Sequence, residues 1–357
     1  MNSELLENFQ KDINNIREYI KHIDLINKIV KNNNDSIEPS LKTFINHLHS
    51  FGREKKLFEY KSIIISLYGV LENYITIWIK EHINNISNLI LNYQDIPEKI
   101  SKSHFDLSIK LISIISENKF AKYEYLSKEE VLIKLNSCIQ KPLNYELNSD
   151  AFSPMSGNLK HDKISKAFKE LDINLTFRLK QNNTFSKYLK DKFGQNIANK
   201  GDELFNTIDE LVNRRNYIAH GTMIDDITSE FDNYIEFLTF YGKAIFETLI
   251  QKEIEYESIH LYQKIENIIN IFKNSDTKIK SILAFELNNN RIRENDFIII
   301  KLENGNFYKQ KILQVQEDGV NISGVEVLNK INIGINLDVN FNLEKNSQIF
   351  YIKKREN

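Results

Sequence analysis

The densest group of chemically active side chains in the sequence lies near the middle of the chain, at the end of a predicted helix. Two arginines, an amide, a phenol and a histidine fall within about one and a half helical turns there: Arg214, Arg215, Asn216, Tyr217 and His220. An arginine carries a permanent positive charge, whereas a histidine can take or give a proton near neutral pH. Together these side chains are suited to cleaving a phosphodiester bond without a metal ion or other cofactor.

RNA itself supplies the nucleophile for such a reaction, because its 2′-hydroxyl can attack the neighbouring phosphate. A histidine would handle the proton of that hydroxyl or of the leaving 5′-oxygen, and an arginine would stabilise the charge on the phosphorane oxygens. DNA lacks the 2′-hydroxyl and cannot be cut in this way. Each chain offers one histidine in this group, yet the reaction needs an acid and a base. We therefore expect a homodimer that brings two copies of the Arg215–His220 helix together.

Apolar spacing predicts that the helix carrying this group runs from Gly201 to Ala219. Its apolar stripe contains Leu204, Ile208, Leu211, Val212, Ile218 and Ala219. Arg215 falls on this stripe, where the pattern requires an apolar residue, so its guanidinium needs an anionic partner. Gly221 follows the helix and can adopt the left-handed backbone conformation of a C-terminal cap. A solvated basic helix end for the two arginines, and a simple capping role for His220, stay open as alternatives.

A second polar group, Glu72 with Asn73, lies inside the most apolar helix of the sequence, which is predicted from Glu59 to about Asn85. We expect Glu72 to face other protein and to partner Arg215, since a buried carboxylate needs a cation or hydrogen-bond donors. A structural ion pair and a catalytic role are equally open for it. The stretch Ser62–Ile79 has the length of a short membrane span, but Glu72 near its middle favours a buried helix in a soluble protein.

Composition limits the fold and the classes of function. The chain has 357 residues, of which 41% are hydrophobic, and its 4 Pro and 11 Gly favour long helices. With 47 basic and 49 acidic residues, the formal charge of −2 gives no long-range attraction to nucleic acid. Cys138 is the only cysteine, which excludes disulfides and multi-thiolate metal sites within one chain and fits a reducing cytoplasm. Residues 1–17 lack the apolar segment of a secretory signal.

The hydrophobic pattern divides the chain into a helical part and a β-rich part. Residues 1–275 are predicted to form a mainly α-helical bundle with insertions, in which 141–162 is a turn-rich loop and 228–274 is helical. Residues 282–357 are predicted to form a small SH3-like β-barrel. Its predicted strands are Ile282–Leu287, Phe297–Leu302, Phe307–Val315, Val320–Ile322 and Ile349–Ile352.

The predicted barrel is assigned an accessory role in binding RNA or a partner. Its basic residues are candidates for a nucleic-acid surface: Lys301, Lys309, Lys311, Lys353, Lys354 and Arg355. Acidic residues interrupt them and favour an ordinary solvated face: Glu303, Glu317, Asp318 and Glu344. The sequence leaves both interpretations open.

Three stretches of the sequence resemble HEPN-domain ribonucleases. The first is the Arg-x4-His spacing from Arg215 to His220, with the polar Asn216 directly after the arginine. More of the chain is similar to the MAE-type branch of that family. Leu67–Tyr74 resembles its first core helix, Leu211–Gly221 its last, and Asn158–Leu159 leading into 167–173 a mid-domain element. The resemblance covers roughly residues 5–255 and leaves out the β-rich region.

The resemblance implies a helical bundle that dimerises through the motif helix and cleaves RNA without a metal ion. Arg215 and His220 carry over as catalytic residues and Asn216 as an assistant. We place four further residues around them in support: Glu72, Asn73, Arg214 and Tyr217. Such domains often serve as toxins or effectors in toxin-antitoxin and anti-phage systems, so an antitoxin or regulatory protein is an expected partner, and no membrane is. The alternative function is a non-catalytic HEPN dimer that acts as a nucleotide- or RNA-binding sensor or scaffold.

Overall fold

The computed structural model describes most of the chain. The described residues are 1–31, 39–117, 121–140, 143–153, 157–221, 231–273, 280–288, 290–327, 329–339, 343 and 346–352. Four residues named in the sequence analysis therefore lie outside the described residues: Glu344, Lys353, Lys354 and Arg355. The chain divides into two compact units, the first made of Met1–Asn84 and Asn92–Leu249, the second of Asn85–Leu91 and Ile250–Asn357.

Helices dominate the described chain up to residue 260, as the periodicity predicts. They are α1 Glu4–Lys31, α2 Pro39–Ser50, α3 Gly52–Leu89, α4 Glu98–Ser116, α5 Lys128–Gln140, α6 Ser149–Phe152, α7 His161–Glu170, α8 Leu175–Gln181, α9 Asn183–Phe193, α10 Asn206–Ala219 and α11 Phe231–His260. The start of α5 is a capping box. The Glu130 N–H donates to Ser127 Oγ at 3.1 Å, and the Ser127 N–H donates to Glu130 Oε2 at 2.9 Å.

The core of the first unit forms around α3. Trp78 is completely buried, and its ring centroid lies 5.1 Å from that of Phe9 on α1 and 5.4 Å from that of Phe246 on α11. A Cβ added at Gly242 would come within 2.4 Å of the Phe9 ring, so glycine permits the close approach of α1 and α11. In the described chain, α3 alone is long and apolar enough to cross a membrane, but half of its most apolar window is buried inside the protein. This burial is consistent with the core helix of a soluble protein.

The second unit is a curled antiparallel sheet that forms a half-barrel. Its strands are β1 Tyr262–Lys264, β2 Ile268–Lys273, β3 Lys280–Leu287, β4 Asn290–Arg293, β5 Phe297–Lys301, β6 Phe307–Glu317, β7 Val320–Ile322, β8 Gly324–Val327, β9 Ile331–Asp338 and β10 Gln348–Ile352. The strand order is β1-β10-β5-β6-β9-β3-β2, with β7 paired to β6, and β4 pairs with β8 separately. The alternating apolar residues of these strands form one core, which includes Leu283, Phe285, Ile298, Ile300, Ile312 and Ile335.

The prediction that residues 228–274 are helical is wrong for its last part. The helix ends at His260, and β1 and β2 follow before residue 274. β1 pairs with β10, which lies far along the sequence, and the short apolar run of β2 fits helical and strand spacing equally well. The predicted boundary near residue 282 therefore falls inside the second unit. The β-rich character of the C-terminal region is confirmed, and its SH3-like topology stays a prediction.

Candidate functional site

The candidate site lies at the carboxyl end of α10. This helix ends at Ala219, and the His220 N–H donates to the backbone oxygen of Asn216 at 2.9 Å. Gly221 has φ +69°, and its N–H donates to the Ile218 oxygen at 3.2 Å. The predicted left-handed cap at Gly221 is therefore confirmed. The backbone of His220 caps the helix, while its residue surface is exposed to solvent.

The apolar stripe of α10 changes character where it reaches Arg215. Ile208, Leu211 and Val212 are completely buried, as predicted, whereas Arg215 is half-buried. The guanidinium carbon of Arg215 lies 4.9 Å from the centroid of the Tyr68 ring on α3, which is a cation–π distance. The aromatic face thus orients the guanidinium without neutralising its charge.

Asn216 contacts Arg215 rather than the histidine. Arg215 Nη1 donates to Asn216 Oδ1 at 3.2 Å. The amide therefore fixes one edge of the guanidinium, while the ring of Tyr68 lies against its face. The one-turn spacing in the sequence allows the Asn216 amide either to orient the His220 ring or to hold a ribose or phosphate oxygen. The bond that joins the two residues in the structure is instead between their backbones.

Gly157 marks the point where three polar groups of the site converge. A Cβ built at Gly157 would lie 3.6 Å from Glu72 Oε1, 3.7 Å from Arg215 Nη2 and 3.9 Å from Tyr68 Oη. Gly157 is exposed, so this point is also reachable from solvent. The three stretches that carry the sequence resemblance, distant along the chain, therefore meet in space here.

Tyr68 on α3 contacts both the loop that follows Gly157 and Arg215 on α10. Its hydroxyl oxygen accepts a hydrogen bond from the Leu159 backbone N–H at 3.3 Å, which ties the loop after Gly157 to α3. Burial, followed by the neighbouring Glu72 carboxylate, raises the pKa of Tyr68 to about 12. The phenol is therefore neutral at physiological pH and can serve as a donor and as an aromatic surface.

Glu72 is less enclosed than the sequence predicts. Helical spacing puts Glu72 on one line with Ile65, Tyr68 and Ile79; Tyr68 and Ile79 are buried, but Ile65 is 50% exposed. Glu72 is accordingly half-buried. Within the described chain it meets Arg215 at Gly157, with Tyr68 beside both, and no direct ion pair joins the two. In place of the expected Glu72–Arg215 pair, the two side chains lie near the same glycine, beside Tyr68.

The remaining predicted residues divide into one that is held within the protein and two that are exposed. Arg214 donates from Nε to Glu210 Oε1 at 2.8 Å and from Nη1 to the hydroxyl of Tyr60 on α3 at 2.8 Å. Arg214 therefore links α10 to α3, as a structural contact would. Tyr217 is 55% exposed, and Asn73 is exposed on α3.

Two residues that contribute to the site were not selected from the sequence, namely Tyr68 and Gly157. Tyr68 lies four residues before Glu72 and so shares its helix face, which is a signal that could have identified it. Gly157 directly precedes the matched mid-domain element, but spacing alone gives no reason to place it beside Arg215.

A second polar cluster involving α10 is enclosed. Asp209 Oδ1 accepts from the His161 backbone N–H at 3.0 Å. The His161 ring nitrogens lie 2.9 Å from the Tyr241 hydroxyl and 2.9 Å from Thr176 Oγ1. The ring stacks on Phe205 at 3.4 Å, and burial lowers the pKa of His161 to about 3. A neutral, fully bonded histidine of this kind belongs to the core.

The fold and the site together define a HEPN domain, an all-helical unit with an Arg-x4-His motif near the end of a late helix. The family model described as RiboL-PSP-HEPN matches residues 32–251, which is more than half of the chain. The protein therefore belongs to the RiboL-PSP-HEPN family. A search of curated proteins found no significant match. The HEPN resemblance is confirmed, and membership of the MAE-type branch stays a prediction.

The arrangement limits the chemistry available at the end of α10. In the residues that the structure describes, no group of three or more His, Cys, Asp or Glu side chains is placed to hold a metal ion. The site offers an oriented guanidinium, an amide, a carboxylate and an exposed histidine. These groups can bind a phosphate and move a proton.

Proposed function

We propose that this protein is a metal-independent HEPN endoribonuclease of the MAE-type branch. The observation that carries the proposal is the guanidinium of Arg215, oriented by Tyr68 and Asn216, five residues before the exposed His220. A structural arginine would be neutralised by a carboxylate, as Arg214 is by Glu210. Arg215 keeps its charge available beside an opening at Gly157, where a phosphate can approach.

The reaction begins with the 2′-hydroxyl of a ribose. Its oxygen attacks the adjacent phosphorus, the bond from phosphorus to the 5′-oxygen breaks, and the products carry a 2′,3′-cyclic phosphate and a 5′-hydroxyl. His220 takes the 2′-hydroxyl proton or gives a proton to the leaving 5′-oxygen. Arg215 donates to the phosphorane oxygens, where negative charge accumulates. Asn216 and Tyr68 position the guanidinium, and the Glu72 carboxylate lies beside the same opening at Gly157.

The active form is a homodimer through the end of α10. One chain supplies one histidine to the motif, whereas the reaction needs an acid and a base, so apposed copies complete the site. The exposure of Tyr217, His220 and Asn73 in the single chain supports this arrangement, because a second copy or the RNA would cover them. Arg214 supports the dimer indirectly by fixing α10 to α3.

The biological role we propose is that of a cytoplasmic toxin or effector in a toxin-antitoxin or anti-phage system. Family membership supports this role, because HEPN domains often serve as toxins or effectors. An unrestrained ribonuclease would harm its own cell, so we expect an antitoxin or other regulatory protein to restrain it. The second unit has an accessory role in RNA or partner binding.

The test is cleavage of total RNA by the purified protein with EDTA present, followed by mapping of the ends produced. We expect 2′,3′-cyclic phosphate and 5′-hydroxyl ends, and loss of cleavage in the Arg215→Ala and His220→Ala variants. Matched controls are Arg17→Ala and His22→Ala on α1, because Arg17 is half-buried like Arg215 and His22 is exposed like His220. Cleavage that survives both site changes would refute the proposal.

The non-catalytic alternative predicts a different result in the same experiment. A sensor or scaffold would leave RNA intact in every lane, while Arg215→Ala would still weaken the binding of RNA or a nucleotide. Size-exclusion chromatography with light scattering measures the dimer independently of cleavage. A monomeric wild-type protein that cuts RNA would contradict the shared site but not the catalytic residues.

A further inference from the structure

The second unit has an open cavity beside the last turns of α11, on the outer face of its sheet. Its volume is about 470 Å³, within the range of small-molecule sites. Strands β1, β5, β6 and β10 and the end of α11 surround it. Its lining includes aromatic, basic and amide side chains: Tyr262, Lys264, Lys301, Phe307, Gln348 and Phe350. None of these residues belongs to the site on α10.

Strand register brings lysines and aromatic rings together on this face. Lys264 lies opposite Phe350 across β1 and β10. Lys301 lies opposite Gln348 on one side and opposite Phe307 on the other. Because alternate residues of a strand share a face, Phe350 and Gln348 point to the same side of the sheet. Each of the two lysines therefore has an aromatic or amide group as its neighbour.

The floor of the cavity is apolar, and the ring of Phe350 above it is partly accessible to solvent. Tyr262, Ile299 and Phe307 form a buried cluster, against which Phe350 packs while half-buried. Lys301 Nζ lies 5.1 Å from the centroid of the Phe307 ring. The exposed part of Phe350 thus offers an aromatic surface supported from below, on which a planar ring can stack.

The charge of the cavity favours an anion. Neither Lys264 nor Lys301 takes part in an ion pair within the described residues, whereas Lys309 on the same face pairs with Glu257. Glu255 also lines the cavity, and its carboxylate lies 3.4 Å from Lys252 Nζ. Two lysines therefore face one carboxylate that already has a cation beside it.

The cavity is formed in advance by bonds between α11 and β6. Gln251 Nε2 donates to the Phe307 oxygen at 2.6 Å, and the Phe307 N–H donates to Gln251 Oε1 at 2.6 Å. These two bonds fix the strand that carries Phe307 to the helix above it. A ligand therefore meets walls that are already ordered, which reduces the entropy lost on binding.

We propose that this cavity binds one nucleotide of a single-stranded RNA. The base stacks on Phe350, the Gln348 amide reaches the base edge, and Lys264 and Lys301 contact the phosphate. A free nucleotide presents the same chemistry, and the choice of RNA as its source rests on the proposed function. The second unit would then add to the affinity of the protein for its RNA substrate.

The test is photo-crosslinking of the full chain to a single-stranded RNA that contains 4-thiouridine. The chain carries His220→Gln so that the RNA stays intact, and the crosslinked peptide is identified by mass spectrometry. We expect a crosslink in the peptide that contains Phe350. The double change Lys264→Gln with Lys301→Gln, and separately Phe350→Leu, should each lower its yield about tenfold. The control Lys330→Gln removes a charge from an exposed loop and should keep the yield.

Competition with AMP, and an acidic photoreactive peptide used in place of RNA, distinguish RNA from a free nucleotide and from a protein partner as the ligand of the cavity. AMP that abolishes the crosslink at a concentration equal to that of the RNA assigns the cavity to free nucleotides and overturns RNA as its ligand, whereas AMP that competes only in large molar excess supports RNA. A crosslink found only in the first unit, or one unaffected by both pocket changes, overturns the proposal. Capture of an acidic photoreactive peptide in place of RNA overturns it as well. If the wild-type chain cuts no RNA but the Phe350 crosslink forms, the nuclease proposal fails and this one stands.

Discussion

Two polar regions, one packed against the start of α10 and one at its end, contain similar residue types but differ in their surroundings. Toward its start, Asp209 bonds to the His161 backbone, and the His161 ring lies between Tyr241 and Thr176. At its end, Arg215 lies on Tyr68 and His220 is exposed. Both regions combine a histidine with a charged residue, so residue type alone would not separate them.

The difference shows how enclosure decides what a polar side chain can do. At His161 burial lowers the pKa to about 3 and each ring nitrogen has a protein partner, so the ring has no capacity left for a substrate proton. At the end of α10 the protein orients Arg215 without neutralising it and leaves His220 accessible. The enclosed cluster, in which α10 contributes Asp209 and α7 contributes His161, thus serves stability, and the exposed end of α10 is left for chemistry.

The largest predicted effect is on the exposed region at the end of α10. Replacing His220 by Gln should reduce the rate of RNA cleavage by about 10²- to 10⁴-fold, because it removes the group that transfers the proton. The melting temperature should not change, since the residue is exposed. Single-turnover cleavage and thermal unfolding measured on the same preparation check both parts. Cleavage at the wild-type rate would contradict the role of His220.

The next largest effect is on stability and comes from the enclosed region around His161. His161→Ala should lower the free energy of unfolding by about 3 kcal/mol, because it leaves a cavity and removes the partner of the buried Tyr241 hydroxyl. Urea unfolding measures the loss, with His22→Ala on the surface of α1 as the control. RNA cleavage by the fraction that remains folded should be normal. A variant as stable as wild type would show that the enclosed cluster does not contribute to the core.

The sequence predicted those features of the two regions that depend on residues close together in the chain, and it did not predict those that depend on distant segments. The helix, its cap at Gly221 and the capping box at Ser127 were all predictable, because each follows from residues within a few positions. The contact at Gly157 joins segments far apart in the sequence, and spacing does not specify it. The rotamer that directs Asn216 to Arg215 depends on surrounding packing, as does the pairing of β1 with β10.

Acid should weaken the enclosed region before it affects most carboxylates. Burial lowers the pKa of His161 to about 3, and it lowers the pKa of a second buried histidine, His104 on α4, to about 4, below the ordinary value of 6.5. The unfolded chain therefore binds more protons than the folded chain below pH 6.5, so stability falls as pH falls toward these values. Each histidine should cost about 1.5 kcal/mol between pH 6.5 and pH 5. Urea unfolding across this range tests it, and a flat profile would contradict the buried neutral state.

The smallest effect concerns Gly157, near which the polar atoms of Glu72, Arg215 and Tyr68 lie. A Cβ there would lie at ordinary contact distance, 3.6 Å from Glu72 Oε1 and 3.7 Å from Arg215 Nη2. Gly157→Ala should therefore change stability by no more than about 0.5 kcal/mol and leave cleavage intact. Gly157→Leu extends beyond that space and should displace the Arg215 guanidinium, lowering cleavage about tenfold with little effect on melting. Equal cleavage by the two variants would mean that the position of Arg215 does not depend on this contact, and that Tyr68 and Asn216 alone orient it.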